Sequence, residues 1–105
     1  MTAPTISSRA RAHLRSLAHG LQPVVQLGTE GLTESVTKAV DAALHQHELI
    51  KVKIGQSYEG DRKEAARALA EATSSDLTQV IGRVVVLYRP RGKDLPGKPR
   101  IPLPG

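Results

Sequence analysis

The stretch VVQLGTEGLTESV, residues 24–36, decides the fold. A run of strand formers ends at Gly28, Thr29 and Glu30 separate it from Gly31, and Thr33 stands where a helix begins. Thr33 suits an N-cap because its hydroxyl can accept from a free first-turn N–H, and Glu34 suits the positive end of the helix dipole. From there Val36, Ala39, Val40, Ala43 and Leu44 recur at helical spacing, predicting a helix to about His47.

Upstream, Ile6, Ala10, Leu14, Leu17 and Ala18 fall on one arc of a helical wheel and predict a helix over about 7–19. Arg11 and Arg15 lie one turn apart beside that arc. Gly20 is expected to supply a left-handed stop, and Pro23 leads into a strand whose side chains read as apolar on both faces. Downstream, LIKVKI alternates: Ile50, Val52 and Ile54 share one face, Lys51 and Lys53 the other. A glycine-bounded loop over 55–60 precedes Asp61 and Glu64, a variant capping box opening a third helix to about Ala72. LTQVI and VVVLY read as two strands joined by Gly82-Arg83, the composition of a type II′ hairpin turn.

The predicted architecture is α/β: a single layered domain, order α-β-α-β-α-β-β, with a mixed four-stranded sheet. Right-handed crossovers put the second and third helices on one face if their flanking strands run parallel, and the first helix is the available cover for the other. The domain is expected to span residues 1–89. Residues 90–105 hold five of the seven prolines and four basic residues against one acid, and read as a flexible, extended basic tail. Such a tail either solvates the chain or adds phosphate contacts.

Fifteen Lys and Arg face ten Asp and Glu in 105 residues, a formal charge of +5. That balance favours an acidic partner, nucleic acid first. Phe and Trp are absent and Tyr58 and Tyr88 are the two tyrosines, so a typical base-stacking platform is excluded and backbone contacts should dominate. With no cysteine there is neither a disulfide nor a Cys-ligated zinc site, which suits a reducing compartment. His45 and His47 stand two apart, whereas a helical metal pair needs three or four. No catalytic motif is visible, so no enzyme activity, cofactor, metal or small-molecule substrate is expected. No apolar run approaches the roughly 20 residues of a membrane span. The acid-free, arginine-bearing N-terminus resembles a transit peptide, but it also reads as a structural helix. The cytoplasm is the expected location and a monomer the default state.

Gly28 and Gly31 could let a ligand approach the backbone closely at a helix N-terminus, where free N–H groups favour an anion. Taken alone, G-x-x-G also fits a tight strand-to-helix turn. It is neither a P-loop nor a dinucleotide fingerprint.

The succession from LRSLAHG through LGTEGLTESV and HELIKVKI to VIGRVVVLYRP resembles the CRM domain family, in its free-standing bacterial YhbY-type form, over about residues 7–90. That resemblance implies a fold similar to the C-terminal domain of translation initiation factor 3. It implies RNA binding, with ribosomal RNA in pre-50S particles as partner, and an assembly role for the large subunit. It also implies that Gly28, Thr29, Glu30 and Gly31 touch RNA as the loop of KH domains does. The family's basic surface would be represented by Arg11, Arg15, Lys51 and Lys53. Glu30 departs from the basic or neutral residue common in such loops, and its carboxylate is unfavourable beside a phosphate.

Overall fold

The computed structural model describes residues 6–91, 96–97 and 100–104. The elements follow the predicted order: α1 Ser8–Ala18, β1 Pro23–Leu27, α2 Glu34–His47, β2 Leu49–Ile54, α3 Arg62–Thr73, β3 Asp76–Ile81 and β4 Val84–Tyr88. The sheet order is β1-β2-β4-β3, with β1 parallel to β2 and β4 antiparallel to both β2 and β3. The carboxyl ends of β1, β2 and β3 therefore lie at one end of the sheet.

Two apolar layers sandwich the sheet. On one face Val40 and Leu44 of α2 and Ala66 and Leu69 of α3 bury Ile50, Val52, Ile54, Val85 and Leu87. The alanines of α3 keep it close to the strands. On the other face Leu14 and Ala18 of α1 pack on Leu49, Val86 and Tyr88. Burial raises the Tyr88 phenol pKa, with a smaller push from the Glu48 charge, so the ring stays neutral at ordinary pH. Among the described residues no helix is long and apolar enough to cross a membrane.

Local signals set the helix starts. Ser7, Thr33 and Asp61 each accept a bond from the backbone N–H three residues on, at 3.0, 3.1 and 3.0 Å. The Asp61 carboxyl is held below its ordinary pKa chiefly by the Glu64 N–H. Gly82 takes φ +55, as the first central position of a II′ turn requires.

Two expectations need correction. The stop of α1 is not left-handed: His19 caps it in right-handed geometry, Leu21 N donates to Ala18 O, and Gly20 is not among the positive-φ residues. Nor is β1 covered on both faces. It is an edge strand, and Val24 is 50% exposed because α1 crosses the sheet nearer β2, β3 and β4.

The segment after β4 folds back on the C-terminus of α2. Glu48, with φ 63, caps that helix and is only 1% exposed. Its carbonyl accepts from Arg89 N at 2.8 Å. Its carboxylate accepts from Arg91 N and from Ile101 N, each at 2.6 Å. The Arg91 guanidinium donates to His45 O and Gln46 O, and that of Arg89 to Asp41 O and Thr73 O. Arg91 thus satisfies carbonyls that the end of α2 leaves open, and Arg89 does the same at Thr73 O, the end of α3, each cation opposing the negative end of a helix dipole. Ile101 and Leu103 then pack beside Tyr88 and Leu14. Residues 92–95, 98–99 and 105 of the segment read as a tail lie outside the described residues.

Candidate nucleic-acid interface

Three connections meet at the carboxyl end of the sheet: the glycine loop after β1, the loop over 55–60 after β2, and the Gly82-Arg83 turn between β3 and β4. The N-termini of α2 and α3 open at the same end. In open α/β sheets this is where ligands bind, because strand ends and helix starts converge there. Gly55 N donates to Leu27 O at 2.8 Å and Arg83 Nη1 donates to Gly55 O at 3.0 Å, which ties the three connections together.

Within the glycine loop the two glycines do different work. Gly31 has φ +72, is buried, and donates its N–H to Gly28 O at 3.0 Å. A methyl built on it would lie 3.0 Å from Cε1 of Tyr58. Gly28 is half-buried with a φ any residue adopts, and a methyl there would meet nothing within 4 Å among the described residues. Gly31 is thus demanded by the fold, whereas Gly28 leaves space that the fold does not use. Thr29 and Glu30 are exposed at the tip, so the bend faces solvent instead of being sealed in the core.

Beside the loop, α1 leaves part of its sheet face open. The register sets Gln26, Lys53, Val84 and Ile81 in one row across the four strands, next to the row of Lys51, Val86 and Gln79. Lys53 and Ile81 are exposed, and Lys53 precedes Ile54, the partner of Leu27 at the foot of the loop. Arg15 of α1 and its C-cap His19 border Lys51, Gln79, Ile81 and Val84 around a cleft of about 210 Å³. Arg15 and Lys53 are exposed.

The other two basic residues singled out in the sequence already have partners. Arg11 donates to Asp76 Oδ1 at 2.8 Å, a contact that raises its pKa further and leaves the second oxygen to Thr78 Oγ1 at 2.9 Å. Lys51 Nζ lies 3.4 Å from His19 O and so caps the end of α1. Arg62 and Lys63 were not among the site residues read from the sequence. With Gly60 and Gly82 they line a polar depression of about 530 Å³ at the same end of the sheet. The signal for them was topological: a crossover helix starts where its preceding strand ends.

Residues 6–89 match the family model described as the CRS1 / YhbY (CRM) domain. The chain belongs to the CRM domain family. This CRM protein is 42% identical over 86 residues to a Haemophilus influenzae protein named "RNA-binding protein", covering 82% of the present chain and 87% of the relative. It is 38% identical over 84 residues to the Bacillus subtilis "Probable RNA-binding protein YqeI", covering 80% and 88%. Among solved structures, that of SAV1595 from Staphylococcus aureus superposes with TM-score 0.78 at 40% identity, covering 95% of this chain and all of that one. None of these names carries a catalytic activity.

Proposed function

We propose that this CRM protein binds RNA through the glycine loop and the basic strip beside it, and that its RNA is ribosomal, in precursors of the large subunit. One observation carries the grip: a solvent-facing bend with an unfilled position at Gly28 stands at the mouth of α2, with exposed Lys53 paired to Gln26 just before it and exposed Arg15 farther along the same sheet face, beside Lys51 and Ile81. A ribose-phosphate strand fits because the bend offers backbone approach and the strip offers charge. The names of the relatives support RNA as the partner class. The assembly role rests on the family resemblance.

Phosphate contact makes affinity depend on salt. With about five phosphates neutralised, log affinity falls against log salt with a slope of roughly −3.5 to −4.5. Arg15→Glu with Lys53→Glu should flatten that slope by about 2 units while the thermal unfolding curve stays in place. Lys51 is left intact because it holds the end of α1. Titration of a labelled, protein-free ribosomal RNA fragment between about 50 and 200 mM salt reads both quantities. A slope that the double variant leaves unchanged removes this strip from the site.

A second reading has its own observation. Leu17, Leu21 and Val24, which are 42%, 38% and 50% exposed, flank an apolar groove of about 490 Å³ that reaches Ile101. Such a groove suits a protein segment, such as one from a ribosomal protein. Binding to protein-free RNA separates the two readings, because a purely protein-docking module shows none.

A further inference from the structure

We infer that Tyr58 is the positioning residue of the glycine loop: its ring, set between Gly31 and Gly60, holds the bend in the shape that RNA meets. This rests on the loop being the RNA contact proposed above. Of the chain's two tyrosines, Tyr88 is buried under α1. Tyr58 is half-buried, packs against the core beneath α2 and α3, and is the ring that reaches the loop.

The geometry is that of a wedge. A methyl on Gly31 would press on Cε1 of Tyr58 at 3.0 Å, and one on Gly60 would collide with the hydroxyl end of the ring. Two different loops thus lack side chains where the ring passes. The ring is anchored from behind, because Tyr58 N donates to Gly55 O at 3.1 Å and Gly55 N donates in turn to Leu27 O at the foot of the glycine loop. The rest of the bend is open to solvent: Thr29 and Glu30 are exposed and Leu32 is 37% exposed. A tyrosine ring has only two side-chain torsions and loses little freedom as a prop. A bend held in its bound shape before RNA arrives avoids the ordering cost on binding. The same packing argues against Tyr58 as a base platform, because Gly31 and Gly60 already lie against the ring.

The test uses the full chain with Tyr58→Phe, Tyr58→Ala and Tyr58→Leu. Amide hydrogen exchange without RNA reads the loop itself, through the Gly31 N–H bonded to Gly28 O. In Tyr58→Ala that amide should exchange about tenfold faster or more while the amides of β2 and β4 keep their protection. Tyr58→Phe should restore wild-type exchange. For RNA, Tyr58→Ala should weaken binding about tenfold with the salt slope unchanged, since preorganisation is lost and no phosphate contact is. Unchanged Gly31 exchange in Tyr58→Ala overturns the inference. Slow exchange but lost affinity in Tyr58→Leu overturns it too, because the ring is then a stacking surface. Faster exchange in Tyr58→Ala with full affinity keeps the prop and removes the loop from the RNA site.

Discussion

Replacing Glu48 by alanine is expected to lower the unfolding free energy by about 2–4 kcal/mol, a large share of the stability of a domain this size. The carboxylate is buried, and both oxygens accept short bonds, from Arg91 N and Ile101 N. Removing it leaves two inward-facing N–H groups without acceptors. They either stay buried and unpaired or recover water by letting the tail leave, which strips Ile101 and Leu103 from Tyr88. Both routes cost energy. Alanine keeps the same β-carbon at the positive φ, so the change reports on the carboxylate and not on backbone strain. Glu48→Gln retains one acceptor oxygen and should fall between the two. Urea denaturation followed by circular dichroism measures this. A shift of less than about 0.5 kcal/mol, the range of ordinary surface changes, would show that the segment is not held by this residue.

The second large effect is a contrast between the two loop glycines. Gly31→Val should destabilise the protein by well over the roughly 1–2 kcal/mol that a left-handed backbone angle costs an ordinary residue. Its β-branched side chain is a poor fit to φ +72, and its Cβ would also press on Tyr58. RNA affinity should drop about tenfold or more as the bend is lost. Gly28→Ala should do the reverse: stability within about 0.5 kcal/mol of wild type, because the added methyl meets nothing among the described residues, but weaker RNA binding. Only a ligand seated against Gly28 would notice that methyl. If Gly28→Ala binds RNA as tightly as the wild type, the open position is not where the strand approaches.

Much of this fold was legible because its signals are local. The alternation in LIKVKI marks β2 almost to the residue, and Thr33 and Asp61 cap helices through bonds three residues long. The four-strand mixed sheet followed from helices alternating with strands. What escaped is long-range. Glu48 looks like any acid before a strand, but its acceptor bonds reach 43 and 53 residues along the chain. Arg11 read as a free cation, yet its partner Asp76 lies 65 residues away. The apolar run in β1 gave no hint of an edge position, which depends on strand order. At the candidate site, the placement of the loop beside Lys53 follows from parallel β1 and β2. The unequal demands on Gly28 and Gly31 come from the positive φ at Gly31 and from Tyr58, which no spacing in the sequence connects to them.

The most direct test of the central claim is a nuclear magnetic resonance titration of the isotope-labelled protein with a protein-free ribosomal RNA fragment. With RNA on the glycine loop and the basic strip, the amides of Gly28, Thr29, Glu30 and Lys53 should shift first and most, followed by that of Arg15. Shifts confined to Leu17, Leu21, Val24 and Ile101, with the glycine loop silent, would contradict it.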